Sequence, residues 1–424
     1  MSATPTNTAP RVFMDVSYTR TQHGNVGITR AVRCLQRELD LISGCAPVAF
    51  HPGGYRLVSR DTLGDAPSAG RHRSRAASLL RVFNTSAVRR LAALLPMTVL
   101  RGAWRLSNRL TFDALSANEP AVHFRAGDYL VLADQSWNYP AWVAAQAAAR
   151  HGARVVLVLY DLIPLRHPEF CAPLFTDLFR RWLKNMLACS NAVVCISAAT
   201  ADDLAQWCGQ QRLQPPPTGH FRLGSDLPAQ GAGAVRLQLA NFMAADTPFF
   251  AIIGTVEPRK NHKLLMLAFE QLWRENLPAR LVIIGRPHPQ CHELIAHLRR
   301  HAQQGRLLRT VFDASDAEVA LAYANCRALV FPSLAEGFGL PLVEARTRGC
   351  PVIASDLPAL AELADDGVFL FRRDSAEALA ALLREHMAHN RRPEVSKMAE
   401  FTWTDSAKEL LKTAGGLLGE PWRA

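Results

Sequence analysis

Short apolar runs and amphipathic segments alternate regularly along the second half of the chain. The runs that predict buried parallel strands are residues 249–254, 279–285, 307–312, 328–331 and 351–354. The segments that predict helices, because their apolar residues recur with the helical period, are residues 264–273, 292–302 and 318–325. Strands that alternate with helices in this way are typical of a doubly wound parallel sheet. The region is therefore predicted to be an α/β domain.

The first half shows the same alternation with longer interruptions. Strands are predicted at residues 11–16, 128–133, 154–160 and 191–196, and helices at 28–41 and 141–150. Residues 46–60 are predicted to be a strand region with a Pro-Gly-Gly turn at residues 52–54. A stretch rich in proline and glycine, residues 214–233, separates the two halves. A chain of 424 residues is too long for one ordinary core. We therefore predict two α/β domains, residues 11–230 and 231–400, with a flexible tail over residues 1–10 and a last segment over residues 401–424.

Composition narrows the class of protein. Hydrophobic residues make up 49% of the chain and charged residues 20%, which is typical of a globular protein. No apolar run reaches the roughly 18 residues that a membrane span requires, and residues 1–10 are polar without a signal-peptide pattern. The nine cysteines include no Cys-x-x-Cys pair, and several lie in apolar surroundings, which favours a reducing compartment. We therefore predict a cytoplasmic protein.

The net charge of +11 is concentrated in one segment. From Arg71 to Leu110 the chain has nine arginines and no Asp, Glu or Lys. This segment lies in an insertion, residues 66–118, that interrupts the strand–helix rhythm. It is either a basic amphipathic surface that binds an anionic membrane through Arg71 to Arg109, or a helical insertion packed on the first domain. The absence of acidic residues favours the membrane, and vesicle binding that is insensitive to salt would contradict it.

The rest of the chain is nearly balanced in charge, which argues against a nucleic-acid-binding protein. A surface that binds single-stranded nucleic acid interleaves basic residues with aromatic side chains on which bases stack. Residues 71–110 contain only Phe83 and Trp104 as such aromatic residues. We therefore expect no nucleic-acid partner.

One strand-to-helix turn combines glycines with two carboxylates. It lies between Phe331 and Glu344, after an apolar run. Gly337 and Gly339 permit close approach of the backbone, and unpaired N–H groups at the start of a helix bind anions, so the turn suits a diphosphate. Glu336 and Glu344, with seven residues between them, either accept hydrogen bonds from sugar hydroxyls or complement the helix dipole. Spacing alone does not separate these interpretations.

This turn resembles the E-x7-E signature of the GT-B retaining glycosyltransferases of the family 4 type. From Ser333 the matching residues read Ser-Leu-Ala-Glu-Gly-Phe-Gly-Leu-Pro-Leu-Val-Glu-Ala. Upstream, residues 254–262, Gly-Thr-Val-Glu-Pro-Arg-Lys-Asn-His, resemble the donor phosphate-binding segment of that family. Downstream, residues 349–358 resemble its next strand and loop. The resemblance is firm over residues 246–415 and looser over the first domain.

The resemblance implies a fold and a set of roles in the second domain. The fold would be GT-B, with two Rossmann-like doubly wound parallel-sheet domains that face each other across a cleft. Glu336 would position the transferred sugar, and Glu344 would bind the ribose of the donor. Arg259 and Lys260 would stabilise the leaving nucleoside diphosphate. The donor would also meet the backbone at Gly254, Gly337, Phe338, Gly339 and Leu340.

In the first domain the resemblance assigns roles to two residues. Gly27 would approach the phosphates or the sugar, although an ordinary strand–helix turn would also explain this glycine. Asp161 follows a predicted strand, at the end where open α/β sheets bind ligands, and it matches an aspartate of the family site. An aspartate that caps the loop is the alternative. Relatives commonly have histidine where this chain has Tyr160, which leaves the role of that position open. The last segment, residues 401–424, is predicted to form a helix over residues 408–418, and by the resemblance it would cross back to the first domain.

A metal site is not expected. His288, His292, His297 and His301 are residue types that bind zinc, but their spacing matches no common closed site. The sequence has no Asp-x-Asp motif to hold a divalent ion on a diphosphate. We therefore expect no metal and no other cofactor, and the positive charge at the leaving group would come from the protein. Ser197 is expected to cap a helix rather than to act as a nucleophile.

The resemblance predicts a metal-independent retaining glycosyltransferase. Its donor would be a nucleotide sugar, with GDP-mannose favoured because segments like residues 256–262 are common in bacterial mannosyl- and rhamnosyltransferases. Its acceptor would be a glycan or a polyprenyl-diphosphate-linked sugar in the synthesis of a bacterial surface polysaccharide such as lipopolysaccharide. The enzyme would be peripheral on the inner face of the cytoplasmic membrane. The alternatives are another donor, such as a UDP-sugar or activated rhamnose, and a nucleotide-sugar-binding protein without catalysis.

Overall fold

The structure is a computed structural model that describes residues 10–22, 27–63, 118–226, 233–389 and 392–419, together with residues 99, 102, 103, 106 and 112. The chain divides into two compact units. Unit 1 runs to Arg222 and resumes at Trp403, and unit 2 runs from Leu223 to Thr402. The segment from Arg71 to Arg109 lies outside the described residues except for isolated positions, so its contact with a membrane stays a prediction.

Unit 1 is built on a sheet of mainly parallel strands. These are β1 (Val12–Asp15), β2 (Ala46–His51), β3 (Gly54–Leu57), β4 (Tyr129–Leu132), β5 (Arg154–Leu159), β6 (Ala192–Cys195) and β7 (Thr218–His220). Their spatial order is β3-β2-β1-β4-β5-β6-β7. β2 and β3 pair as an antiparallel hairpin at one edge. The stretch predicted at residues 46–60 is therefore two strands, because the Pro-Gly-Gly turn at residues 52–54 reverses the chain.

Helices cover the sheet of unit 1. They are α1 (Gly27–Ser43), α2 (Ala141–Arg150), α3 (Ile163–Arg166), α4 (Pro173–Cys189) and α5 (Ala198–Gln211). The core joins apolar side chains of the strands, such as Leu157, to those of the helices, such as Trp182. The Oγ of Ser197 accepts a hydrogen bond from the N–H of Thr200 at 3.1 Å, which confirms the predicted cap of α5.

One described residue of the insertion lies in this core. The Phe112 side chain is only 4% exposed. Its ring centroid lies 4.8 Å from that of Tyr139 and 5.6 Å from that of Phe50. Burial of an aromatic ring of this size stabilises the fold substantially. The insertion is therefore anchored to unit 1 near its C-terminal end.

Unit 2 is built on a parallel sheet. Its strands are β8 (Phe249–Ile253), β9 (Arg280–Ile284), β10 (Leu308–Val311), β11 (Leu329–Phe331), β12 (Val352–Ser355) and β13 (Val368–Phe371). Their spatial order is β10-β9-β8-β11-β12-β13, with all neighbours parallel. Its helices are α6 (Leu237–Ala244), α7 (His262–Arg274), α8 (His292–Arg300), α9 (Asp316–Asn325), α10 (Leu340–Thr347), α11 (Pro358–Ala361) and α12 (Ala376–Ala388). This architecture confirms the predicted fold class of two parallel-sheet α/β units.

The last helix, α13 (Trp403–Leu417), belongs to unit 1 and begins earlier than residue 408, where the sequence predicts it. Trp403 is 1% exposed, and the helix packs against α1, β6 and β7. The Thr404 hydroxyl donates a hydrogen bond to the Glu38 carboxylate of α1 at 2.8 Å. These tertiary contacts stabilise the extra first turn. Among the described residues, no helix is both long enough and apolar enough to cross a membrane.

Candidate functional site

The predicted motifs of unit 2 meet at the carboxyl edge of its sheet. β8 is followed by Gly254 and a 3-10 turn, Pro258–Lys260, and β11 is followed by the loop that leads to α10. β8 and β11 are hydrogen-bonded neighbours, so both loops leave the same edge. The N–H of Leu334 donates to the carbonyl oxygen of Arg259 at 2.7 Å and joins the two loops directly. Ligands of open α/β sheets bind at this edge.

Two glycines permit the close backbone packing of this edge. Gly339 is the N-cap of α10 with a φ of 111°, and a Cβ atom there would lie 2.6 Å from Cδ2 of Leu360. A Cβ atom on Gly285 would lie 1.7 Å from the carbonyl oxygen of Gly254. A larger residue would therefore force apart the loops after β8 and β9, or displace the start of α10.

Four charged side chains form a cluster across the two loops. The Glu336 carboxylate accepts from Nζ of Lys260 at 2.5 Å and lies 2.9 Å from Nη1 of Arg259. The Ser333 hydroxyl donates to the same carboxylate at 2.7 Å. Nη2 of Arg259 lies 2.7 Å from the Glu257 carboxylate. Positive and negative charges therefore alternate from Glu257 through Arg259 and Glu336 to Lys260.

The ion pairs of Glu336 are buried, and they shift the pKa values of the groups that form them. The side chains of Glu336 and Lys260 are 7% and 9% exposed. Burial by itself would raise the pKa of Glu336, but Arg259 and Lys260 outweigh it and lower the pKa to about 2. Burial and the charge of Arg259 lower the pKa of Lys260, against the opposing effect of Glu336. The pKa of Lys260 falls chiefly because its ammonium group is buried, whereas the pKa of Glu336 falls because two cations share its carboxylate.

The second glutamate of the motif lies on α10. Glu344 is 7% exposed, and the Tyr323 hydroxyl of α9 donates to its carboxylate at 2.9 Å. Tyr323 is itself fully buried, so its hydroxyl holds the carboxylate in one orientation. Sequence reasoning missed Tyr323, because nothing in the pattern of α9 distinguishes a tyrosine that fills the core from one that holds a functional carboxylate.

The predicted residues of unit 1 belong to separate loops. Gly27 is the first residue of α1 and has a φ of 55°, which favours glycine. Asp161 accepts a hydrogen bond from the N–H of Ile163 at 3.0 Å, an Asx turn that leads into α3. Tyr160 is 4% exposed, and its hydroxyl donates to the carbonyl oxygen of Ala133 at 2.8 Å. The phenol of Tyr160 is therefore bonded to the backbone in this structure.

Two buried aspartates of unit 1 were missed by sequence reasoning. Asp15 ends β1 and Asp134 follows β4, the neighbouring strand. Asp134 accepts from the N–H groups of Tyr18 and Thr19 at 2.7 and 2.8 Å. Burial and the nearby charge of Asp15 raise the pKa of Asp134 to about 7. The two aspartates therefore anchor the loop after β1. The sequence signal that could have identified them is an Asp at or soon after the end of each apolar run.

Of the four histidines with zinc-binding residue types, the structure brings two together. Nε2 of His297 and Nε2 of His301 lie 3.8 and 3.5 Å from the Glu270 carboxylate. Nδ1 of His301 accepts the N–H of Gln303 at 3.1 Å, which places the ring proton of neutral His301 on Nε2. A metal at Nε2 would require that proton to move to Nδ1, against the N–H of Gln303. Glu270, His297 and His301 therefore form a polar cluster whose ligand atoms lie within 4.8 Å of one another, and the expectation of no metal stays a prediction.

Two family models match the chain. The model described as Glycosyltransferase Family 4 matches residues 62–216, and the model described as Glycosyl transferases group 1 matches residues 240–401. The second match contains the whole charged cluster and both motif glutamates. The first lies in unit 1 and includes Asp161.

The named relatives include mannosyltransferases. The chain is 34% identical over 310 residues to the serotype-specific mannosyltransferase WbdA of Escherichia coli, a match that covers 70% of this chain and 38% of WbdA. It is 25% identical over 179 residues to the O-antigen chain mannosyltransferase B of Escherichia coli, covering 41% of this chain and 47% of that protein. The matches thus span less than half the length of these relatives.

Solved structures share the fold along nearly the whole chain. The sucrose-phosphate synthase of Thermosynechococcus elongatus superposes with a TM-score of 0.61 at 17% identity, covering 97% of this chain and 95% of that one. Anabaena Alr3699/HepE, solved in complex with UDP and glucose, gives a TM-score of 0.54 at 15% identity, covering 97% and 96%. The chain therefore belongs to the glycosyltransferases of the GT-B fold, with a Family 4 segment followed by a group 1 segment.

Proposed function

We propose that this protein transfers a hexose from a nucleotide sugar to a glycan or lipid-linked acceptor during the synthesis of a bacterial surface polysaccharide. The observation that carries the proposal is the buried cluster of Lys260, Arg259 and Glu336 at the carboxyl edge of the unit 2 sheet. Mannose from GDP-mannose is the favoured donor, because the relatives WbdA and O-antigen chain mannosyltransferase B are named as mannosyltransferases.

In this proposal the protein supplies positive charge to the leaving nucleoside diphosphate. Lys260 acts as a point charge and Arg259 as a planar fork, two geometries that suit phosphate oxygens. The N–H groups at the start of α10, near Gly339 and Leu340, add the positive end of a helix dipole. Loss of one such donor typically raises the barrier by about 2.7–4 kcal/mol.

In this proposal each of the two motif glutamates binds one part of the donor. Glu344 accepts hydrogen bonds from ribose hydroxyls, with its carboxylate held by Tyr323. Glu336 contacts the transferred sugar once its carboxylate is available. We propose retention of the anomeric configuration, on the resemblance of residues 336–344 to the E-x7-E signature of retaining enzymes. We propose transfer without a metal, because Lys260 and Arg259 supply positive charge at the diphosphate and the sequence has no Asp-x-Asp motif.

In this proposal unit 1 contributes to binding of the sugar and the acceptor and to attachment to the membrane. Asp161 and Gly27 serve the sugar and acceptor side, at loops that follow β5 and precede α1. The arginine-rich segment from Arg71 to Arg109 holds the protein on an anionic membrane surface, where a lipid-linked acceptor would be found. Salt-dependent binding to anionic vesicles that is lost when these arginines are replaced would support this part.

The decisive test is transfer of labelled sugar by purified native protein and three variants. Lys260→Ala should lose at least about a hundredfold in kcat/KM, because it removes charge stabilisation at the leaving diphosphate. Glu336→Ala should lose a similar factor, because it removes the proposed contact with the transferred sugar. Glu275→Gln is the matched control, because it removes an exposed carboxylate that pairs with Arg384 elsewhere in unit 2. Full activity in the Lys260 variant would refute the proposal. Nucleotide-sugar binding by native protein without product would favour a binding protein.

A further inference from the structure

Glu336 holds both of the cations that the proposed function assigns to the diphosphate. Its two carboxylate oxygens lie 2.5 Å from Nζ of Lys260 and 2.9 Å from Nη1 of Arg259. Glu257 holds the other side of the Arg259 guanidinium at 2.7 Å. The four side chains carry two positive and two negative charges, so the cluster is neutral. An incoming diphosphate therefore meets cations that are already paired.

We infer that Glu336 is a built-in counter-ion that the donor diphosphate displaces, and that this exchange frees its carboxylate to bind the transferred sugar. The inference rests on the proposed function, because it takes a diphosphate as the ligand of Lys260 and Arg259. It adds a step that couples binding of the diphosphate by the two cations to binding of the sugar by Glu336. Glu336 reaches the sugar only after the phosphates have taken its cations.

The buried ammonium group of Lys260 needs a counter-ion whenever no donor is bound. The Lys260 side chain is 9% exposed, and Nζ lies 4.5 Å from the centroid of the Phe331 ring. A buried ammonium group without a partner is costly and tends to lose its proton. Glu336 keeps Lys260 charged until the donor arrives. A phosphate oxygen replaces the carboxylate well, because both are anionic acceptors that suit lysine and arginine.

The geometry allows the exchange without moving the loops. The carbonyl oxygen of Arg259 accepts the N–H of Leu334 at 2.7 Å, and Nη1 of Arg259 donates to the carbonyl oxygen of Ala335 at 3.0 Å. Neither of these two hydrogen bonds involves the Glu336 carboxylate. Rotation of the Glu336 side chain and release of its bond from the Ser333 hydroxyl are the required changes.

The exchange predicts effects of opposite sign for one substitution. Glu336→Gln keeps the size of the side chain but removes the charge that competes with the diphosphate. It should bind GDP or UDP at least about tenfold more tightly than native protein, since a charge-assisted hydrogen bond contributes more than a tenfold change in an equilibrium constant. The same variant should lose the additional affinity that the sugar confers and lose transfer. A residue that contacted the sugar alone would leave diphosphate affinity unchanged.

The experiment is calorimetric titration of full-length native, Glu336→Gln, Lys260→Ala and Glu275→Gln proteins with GDP, UDP, pyrophosphate and GDP-mannose at low salt. Ser333→Ala is a second variant, which loosens Glu336 without changing charge and should tighten diphosphate binding about threefold. It replaces Glu336→Gln if that protein does not fold.

The outcomes distinguish failure of the counter-ion exchange from failure of the proposed function. Tighter diphosphate binding by Glu336→Gln but not by Glu275→Gln supports the exchange. Equal tightening in both variants, or none in Glu336→Gln and Ser333→Ala, overturns it and leaves the proposed function standing if Lys260→Ala abolishes binding. If none of the diphosphates binds any of the proteins, both the donor site and the exchange are refuted.

Discussion

The imidazole of His262 is buried near Lys260, and neither ring nitrogen has a hydrogen-bond partner among the described residues. His262 is 1% exposed. Burial, with a further contribution from the charge of Lys260, lowers its pKa from 6.5 to about 3. Between these pH values, His262 is therefore protonated in the unfolded chain and neutral in the folded chain. The stability due to neutral His262 is complete above pH 6.5 and is lost as the pH falls towards about 3.

The size of the effect follows from these two pKa values. Between pH 7 and pH 5 an unfolded histidine becomes almost fully protonated, while folded His262 stays neutral, so the free energy of unfolding falls by about 2 kcal/mol. His262→Leu has a side chain of similar size that does not titrate. Its free energy of unfolding should therefore fall by about 2 kcal/mol less than that of native protein over the same pH range.

The assay must report on unit 2 alone, because a chain of two units need not unfold in one step. We would follow urea unfolding at both pH values by hydrogen-exchange mass spectrometry of peptides from residues 249–274, which cover β8 and α7. His292→Leu is the control, because that side chain is 78% exposed in the same unit. Other buried groups, such as His386, are present in all three proteins and cancel. Equal pH dependence in native protein and His262→Leu would refute the reasoning.

Two further substitutions test the surroundings of the motif, and Gly27→Ala in unit 1 is the control for one of them. Gly339→Ala should lower the free energy of unfolding by about 1–3 kcal/mol, because its φ is 111° and the new Cβ would lie 2.6 Å from Leu360. Gly27→Ala should cost less, since nothing lies within 4 Å of its Cβ position, and equal losses by calorimetry would contradict the steric argument. Tyr323→Phe should raise the donor KM about tenfold and lower the free energy of unfolding by about 1–3 kcal/mol, because it removes the 2.9 Å hydrogen bond that orients the buried carboxylate of Glu344. Unchanged donor affinity would show that Glu344 needs no such support.

Much of the fold could be predicted because it depends on local pattern. An apolar run such as residues 280–284 becomes a strand buried on both faces, and helical spacing of apolar residues predicts α7 and α8. The same signal was present in α4, where Phe179, Trp182, Leu183 and Met186 are buried, although this helix lies outside the predicted elements. The early start of α13 could not be predicted, because it depends on burial of Trp403 against distant parts of unit 1.

The motif residues were found for a related reason. Arg259 and Lys260 follow β8, and Glu336 follows β11, so each lies where a parallel strand ends. A parallel sheet brings such ends to one edge, and the adjacency of β8 and β11 then brings the side chains together. The roles of Gly27 and Asp161 in unit 1 stay predictions, because their observed conformation and hydrogen bond also suit ordinary loop geometry.

The amino-acid sequence by itself determined the two α/β units and the loops that carry the motif, because the period of apolar residues needs only neighbours along the chain. Tertiary structure decided which charges meet. Lys260 and Glu336 are 76 positions apart, and Thr19 and Asp134 are 115 positions apart. No local pattern specifies such pairs. They form because packing removes water from both partners, and a buried charge or hydrogen-bonding group must then be satisfied by whatever the fold places beside it.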